Sequence, residues 1–155
     1  MSEVRAGPAT LPTITPHIVV RDAIAASEWY QRALGAEERD RLPLPNGKVM
    51  YVELWFGHSP VMVADEFPDL GILSPLSIGG TPVVLHILTD NVESVWQRAV
   101  EAGAAVVRPL QDQFWGDRQG QLLDPFGHKW GVAEHVRDVP HNEIAAAAAS
   151  TFSDG

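Results

Sequence analysis

The sequence contains no cysteine. This absence excludes disulfide bonds, thiolate metal ligands and a cysteine nucleophile. No apolar run reaches the roughly 18 residues that a membrane-spanning helix needs. The first dozen residues also lack the apolar core of a signal peptide. We therefore expect a cytoplasmic protein that makes no membrane contact.

Positive charge is also scarce. Eleven Lys and Arg stand against twenty Asp and Glu, which gives a net charge of −9. Such a field repels phosphate backbones, so nucleic acid is not an expected partner, and by itself the acidity indicates only solubility. The sequence has no Gly-rich phosphate loop and no Gly-x-Ser-x-Gly motif. Nucleotide-binding and serine-hydrolase functions therefore have no support.

The 155 residues, 45% of them hydrophobic, fit one globular domain. We predict that this domain spans residues 13–137, after a disordered tail over 1–12 and before a C-terminal tail over 138–155. The C-terminal tail contains five consecutive alanines. Alanine favours a helix, but this run offers no apolar face to bury, so we expect a solvated helix outside the core.

Within the domain, one pattern of elements occurs twice. In the first copy, the β-branched segment Ile14–Val20 predicts a strand, Asp22 begins a helix over Ala23–Leu34, and Gly35 ends it.

In the second copy, Pro82–Leu88 predicts the strand, Asp90 begins the helix and Gly103 ends it. The interval between the opening Asp and the closing Gly is 13 positions in both copies. The matching strands and helices indicate a duplication.

Three strand-like segments follow each predicted helix, so each copy is a βαβββ module. They cover residues 36–42, 48–56 and 60–64 in the first module, and 105–110, 118–123 and 128–134 in the second. We place module one at 13–65, a linker at 66–80 and module two at 81–137. The predicted fold class is α+β.

Three nearby segments of the second module are distinctive: Asp112–Arg118, Gly120–Leu122 and Asp124–Trp130. With them, the chain from about Ile14 to His135 resembles the vicinal-oxygen-chelate superfamily of glyoxalases, bleomycin-resistance proteins and dioxygenases, and in particular its PhnB-like branch. The resemblance implies two βαβββ modules whose curved mixed sheets surround a ligand cavity. Many members of the superfamily are dimers.

Enzymes of this superfamily commonly hold a divalent metal through residues on the first and last strands of each module. The resemblance places these positions at Thr15 and at Met62 or Ala64 in the first module, and at Val84 and Gly131 in the second. A divalent cation needs several converging oxygen or nitrogen donors. Of these side chains only the Thr15 hydroxyl is even a weak donor, so we expect no metal at the usual place.

Strand parity suggests which other side chains face the cavity. Residues two apart on a strand share a face, so His17 and His86 share the faces of the first-strand positions just described. In the strand at 48–56, one parity is uniformly apolar and suits packing under the helix. The other parity is predicted to line the cavity: Tyr51, Glu53 and Trp55.

These residues leave three chemical interpretations open. His17, His86 and Glu53 could hold a metal, or Glu53 could act alone as a general base. Alternatively, the two histidines are hydrogen-bonded interior residues and Glu53 is an acceptor in the cavity wall.

Two residues of the distinctive segments are further ligand-binding candidates. Trp115 precedes a strand and suits a lid or a stacking wall, and Arg118 could meet an anionic group on a ligand. A structural role for Arg118, bracing Asp112 or Asp117, is an equal alternative.

The sequence therefore supports two functional hypotheses. The first is a protein that sequesters a small organic molecule, such as an antibiotic, in an aromatic-walled cavity without a cofactor. The second is a lyase or isomerase that uses Glu53 as its base, with or without a metal. In both hypotheses we expect a homodimer, because a lone chain would leave Trp55 and Phe56 near an uncovered sheet.

Overall fold

A computed structural model describes residues 11–153, which form two compact units divided between Gly80 and Thr81. Almost all of the predicted N-terminal tail lies outside the described residues. In the described part of the chain, no helix is both long and apolar enough to span a bilayer.

The first unit is a βαβββ module followed by two short turns of helix. Its sheet has the order β1-β4-β3-β2, with β1 parallel to β4 and the other pairs antiparallel. Residues 66–80, predicted as a linker, fold onto this unit as a 3-10 turn at Pro68–Leu70 and helix α2. The elements are β1 (His17–Val20), α1 (Ala23–Leu34), β2 (Glu37–Pro43), β3 (Val49–Phe56), β4 (Ser59–Asp65) and α2 (Pro75–Ile78).

The second unit repeats the module with the same topology. Its sheet has the order β5-β8-β7-β6, again with the first pair parallel and the others antiparallel. The predicted α+β class with two βαβββ modules is therefore confirmed. The elements are β5 (Val84–Leu88), α3 (Val92–Glu101), β6 (Ala105–Asp112), β7 (Asp117–Leu123), β8 (Lys129–His135) and α4 (His141–Thr151). Helix α4 contains the alanine run and has no buried residue.

The ends of α1 follow from local chemistry, whereas the start of α3 differs by one residue from the prediction. The Asp22 side chain accepts a hydrogen bond from the Ala25 amide at 3.0 Å, and Gly35 ends α1 in the left-handed region at φ 72°. At α3, the residue before the helix is Asn91 rather than Asp90, and its side chain makes no capping bond.

A carboxylate from the last strand of each module binds the first amide of that module's helix. Asp65 Oδ1 accepts from the Ala23 amide at 2.7 Å, and Glu134 Oε1 accepts from the Val92 amide at 3.0 Å. The two equivalent pairs are offset by 69 positions in the sequence. The shared contact satisfies an otherwise unpaired helix amide and supports the inferred duplication.

Helix α1 covers one face of the first sheet and helix α3 one face of the second, and the apolar core lies there. In the first unit, Val52, Leu54 and Val63 are fully buried with Tyr30 of α1. In the second unit, the corresponding core includes Leu122, Trp130 and Val132. Each such side chain stabilises the fold by about 1.5–3 kcal/mol. We call the opposite face of each sheet its distal face.

Helix α3 approaches its sheet so closely that one strand position beneath it must be glycine. A Cβ atom at Gly120 would lie 2.5 Å from Trp96 Cη2 and 3.0 Å from the Arg108 carbonyl oxygen. We expect Gly120→Ala to lower the free energy of unfolding by about 1–3 kcal/mol through overpacking. Urea denaturation measures this change.

The control is the same substitution made in a variant that lacks the Trp96 ring. Trp96→Leu removes the nearest ring atoms, so Gly120→Ala should cost less in that variant than in the native chain. An equal cost in both backgrounds would contradict a steric origin.

Candidate functional site

The strand registers bring equivalent residues of the two modules into equivalent rows across the distal faces. In the first sheet, His17 pairs with Met62, Met62 with Glu53, and Glu53 with Asp40. Directly paired residues point to the same side of a sheet, so these four side chains share one face. The row is acidic at its β3 and β2 positions.

The corresponding row in the second sheet has a different charge. It runs from His86 through Gly131 and Gln121 to Arg108. A Cβ atom at Gly131 would lie 2.5 Å from His86 Nδ1, so the absence of a side chain there lets the imidazole lie against the neighbouring strand. This row has an amide and a cation at the two positions where the first row has acids.

On the distal face of the first sheet, polar groups bind one another. Glu53 is only 5% exposed, and its Oε2 accepts a hydrogen bond from Trp55 Nε1 at 2.7 Å. The Tyr51 hydroxyl donates to Asp40 Oδ2 at 2.8 Å. The Arg39 guanidinium lies 4.4 Å from the centre of the Trp55 ring. Three predicted residues, Tyr51, Glu53 and Trp55, therefore share this face with His17, but their polar atoms have partners.

The distal face of the second sheet contains a pocket of about 330 Å³. Its polar lining consists of three amide side chains and one guanidinium, its aromatic wall is an indole, and none of its lining residues is acidic. The lining residues are Val84, Arg108, Gln113, Trp115, Gln119, Gly120, Gln121 and Gly131.

The loop before β7 positions the indole of Trp115. A turn closes through the bond from the Gly116 amide to the Gln113 carbonyl oxygen at 3.2 Å. Gly116 has φ 103°, and a Cβ atom there would lie 2.2 Å from the Arg137 carbonyl oxygen, so only glycine fits. The Trp115 Nε1 then donates to Asp117 Oδ2 at 3.1 Å.

The same Asp117 carboxylate connects Trp115 to an exposed histidine. His135 Nδ1 lies 3.1 Å from Asp117 Oδ1, and its Nε2 lies 2.6 Å from Asp138 Oδ1. Hydrogen bonds to Asp138 and Asp117 raise the pKa of His135 above its ordinary value of 6.5. When it is protonated, the imidazole donates to both carboxylates and helps hold the one that orients the indole.

Arg118, predicted to meet a ligand, is not brought to this pocket. It shares the helix-covered face with Gly120, and its Nε donates to Glu93 Oε1 on α3 at 2.6 Å. Its Nη1 lies 3.4 Å from Asp112 Oδ1. This geometry agrees with the alternative in which Arg118 has a structural role and braces Asp112.

Sequence reasoning missed the whole polar lining of the pocket, which consists of Arg108, Gln113, Gln119 and Gln121. Gln119 and Gln121 have the parity opposite to Arg118 and Gly120, and that parity could have identified them. Arg108 gave no such signal, because the pairing of β6 with β7 shifts register on both sides of it.

The residues at the superfamily's metal positions do not fit a divalent cation. Met62 and Ala64 share the distal face of the first sheet, and Val84 and Gly131 that of the second. None of these four side chains offers an oxygen or nitrogen donor. Within residues 11–153, no three His, Asp or Glu side chains are grouped so as to hold a metal. The metal-free expectation stays a prediction that metal analysis of the purified protein can test.

The contact of His135 with two carboxylates predicts its titration. Because its folded pKa is raised, the stabilisation it provides is fully present below about pH 6.5 and is lost as the pH rises through the folded value. NMR titration of the imidazole protons should give a midpoint above 6.5, and Asp138→Asn should lower that midpoint. Asp69→Asn, in the other unit, should leave it unchanged. A His135 midpoint that does not respond to Asp138→Asn would contradict the contact.

Relatives of the chain are found among both sequences and solved structures. An uncharacterised protein of Mycobacterium tuberculosis is 43% identical over 142 residues, which cover 90% of this chain and 84% of that protein. The crystal structure of TioX from Micromonospora is 28% identical with a TM-score of 0.64, over 81% of this chain and 99% of TioX. A PhnB protein of Bacillus cereus, 14% identical, shares the fold with a TM-score of 0.62, over 79% of this chain and 99% of its own.

A family profile covers most of the sequence, including all of the first module and nearly all of the second. It matches residues 10–132 and describes the glyoxalase, bleomycin resistance protein and dioxygenase proteins. The matched region contains strands β1 to β7 and the first four residues of β8. The chain therefore belongs to the Glyoxalase/Bleomycin resistance protein/Dioxygenase superfamily.

Proposed function

We propose that this protein binds a small organic molecule in the pocket on the distal face of the second sheet. One observation carries the proposal: an indole and three amides line a single concave surface in this unit. A volume of about 330 Å³ lies within the range of roughly 300–1,000 Å³ that is usual for ligand pockets. Binding requires this concavity and these polar groups, but no Lewis acid.

The pocket suits a compound with a flat ring system. Trp115 offers an aromatic surface, and its Nε1 is held by Asp117, so the ring is oriented before a ligand arrives. Gln119 and Gln121 can donate and accept hydrogen bonds and would fix the orientation of the compound. The superfamily includes bleomycin resistance proteins, which supports sequestration of an antibiotic-like compound as the biological role.

One observation favours the enzymatic alternative, a lyase or isomerase. Glu53 is a buried carboxylate on the distal face of the first sheet, 5% exposed and bonded to Trp55 Nε1. A buried carboxylate can act as a general base towards a substrate proton. In this alternative, a compound that binds is also converted.

NMR spectra of the ¹⁵N-labelled indoles test the binding proposal. The probes are 2-naphthoate, 2-naphthamide and 2-(aminomethyl)naphthalene, and the Trp115 signal is assigned by its loss in Trp115→Phe. We expect at least one probe to shift this signal, and Trp115→Ala to weaken the binding of that probe by about tenfold, because a stacking surface is lost.

Glu53→Gln serves as the matched variant in the other unit. It keeps an acceptor for Trp55, so binding of the probe should be unchanged. A Trp115 signal that no probe moves would contradict the proposed function. If a bound compound is converted by the native chain but not by Glu53→Gln, the enzymatic alternative replaces sequestration as the proposed function.

We further propose that the protein is a homodimer. The residues that first suggested it are partly covered within the first unit, since Phe56 packs edge-to-face on Tyr30 and Arg39 covers Trp55. Support comes instead from the edge strands of the second sheet. Strand β5 exposes Leu88 at 73%, and β6 exposes Val106 and Val107 at 50% and 46%.

Light scattering at micromolar concentration checks the oligomeric state. We expect a mass near twice the 16.9 kDa of the chain. Leu88→Lys should shift the protein toward the single-chain mass, because a charge would be buried at an edge that pairs. A native mass that stays at the single-chain value when the protein is concentrated would contradict the dimer.

A further inference from the structure

We propose that the ligand of the second-sheet pocket is an aromatic anion whose charged group is bound by Arg108. This inference rests on the proposed binding function and specifies the chemical class of the ligand. It names Arg108, which lines the same pocket as Val84 and Gly131, the residues at two of the superfamily's metal positions.

The charge of the pocket differs in sign from that of the chain. The chain has a net charge of −9, yet the lining of the pocket contains one cation and no carboxylate. Lys129, which pairs with Val84, lies on the same distal face. Asp117 also lies on this face, but its carboxylate is already bonded to Trp115 Nε1 and His135 Nδ1. A surface of this kind attracts an anion. The net negative charge of the rest of the chain repels anions that make no direct contact with the cation.

Arg108 differs from Arg41 and Arg118 in its partners. Arg41 bonds Glu38 at 2.8 Å, and Arg118 bonds Glu93 at 2.6 Å. Among the described residues, no carboxylate forms an ion pair or a hydrogen bond with Arg108. Its guanidinium is therefore free to form a two-point contact with the carboxylate of a ligand.

The neighbours of Arg108 complete an anion site beside an aromatic wall. Arg108 pairs directly with Gln121 on β7, and Gln119 is the next residue on the same face. Directly paired side chains have Cβ atoms about 4.5–5.5 Å apart, so one ligand group can reach both the guanidinium and an amide. Trp115 lines the same pocket and can receive the ring of the ligand.

The duplicated row provides an internal comparison. Arg108 and Gln121 occupy the positions that Asp40 and Glu53 hold in the first sheet. Equivalent scaffolds thus present two acids in one unit, and an amide and a cation in the other. At Gln121 in particular, a carboxylate would repel an anion, and the amide instead donates to it.

The experiment compares probes that share a ring system and differ in charge. Isothermal titration should give 2-naphthoate about tenfold or more tighter binding than neutral 2-naphthamide, because a charged hydrogen-bonded pair is added. Arg108→Gln should remove this preference while leaving 2-naphthamide binding within about twofold, and Gln121→Glu should abolish 2-naphthoate binding. Arg98→Gln, which removes the same charge from α3, is the matched control and should change neither affinity.

The outcomes separate this inference from the proposed function. Equal affinities for the two probes, or 2-naphthoate binding that Arg108→Gln leaves unchanged, would overturn the anion inference while ligand binding at Trp115 stands. A shift of the Trp115 signal by 2-naphthamide but not by 2-naphthoate would also overturn the anion inference and leave ligand binding at Trp115 standing. If none of the probes moves that signal, the binding function itself fails. Loss of 2-naphthoate binding in Arg98→Gln as well would attribute the effect to the overall field rather than to Arg108.

Discussion

Packing of one helix against one face of each sheet is the constraint on which the rest of this structure depends. Strand residues alternate between faces, so once Val52, Leu54 and Val63 lie under α1, their neighbours in each strand must lie on the distal face. The apolar core therefore determines which polar residues remain for a ligand. Glu53 and Gln121 face away from the helices because the residues on either side of them are needed beneath the helices.

The segments that carry the family resemblance divide between shaping the chain and lining the pocket. Asp124 belongs to the first group: its Oδ1 accepts from the Phe126 and His128 amides at 2.8 and 3.0 Å, and its Oδ2 accepts from Trp130 Nε1 at 2.8 Å. One buried carboxylate thus closes the turn before β8 and ties it to the core through Trp130. Trp115 and its loop belong to the second group, since they wall the pocket.

The sequence allowed the modules and the strand faces to be predicted, because both depend on periodicity. Parity alone placed His17 and His86 on the faces away from the helices, and the registers agree with that placement. It did not identify Arg108, since irregular pairing of β6 interrupts the alternation there. For Arg118, charge suggested a ligand contact, but its parity with Gly120 already indicated the helix-covered face.

The start of α3 shows a different limit of sequence reasoning. Asp90 and Asn91 are both good residues for the position before a helix, and nothing local separates them. The choice is made by a contact 42 residues away, where Glu134 accepts the Val92 amide. Such a contact fixes a boundary only after the strands have formed, so the sequence of the helix alone cannot predict it.

Duplication explains how a site can arise on one sheet without disturbing the other. The rows His17–Met62–Glu53–Asp40 and His86–Gly131–Gln121–Arg108 begin with the same residue at the β1 and β5 edges. They differ at the middle and far strands, where side chains on the distal face are not needed for the core. Substitution there changes charge and shape at little cost in packing, because the helix-covered face keeps the apolar residues that stabilise the module.

In the second module, Gly131 opens space beside His86, and Gln121 and Arg108 stand where the first module has two acids. The same backbone that holds a mutually bonded acidic face in one unit therefore presents a cationic pocket in the other.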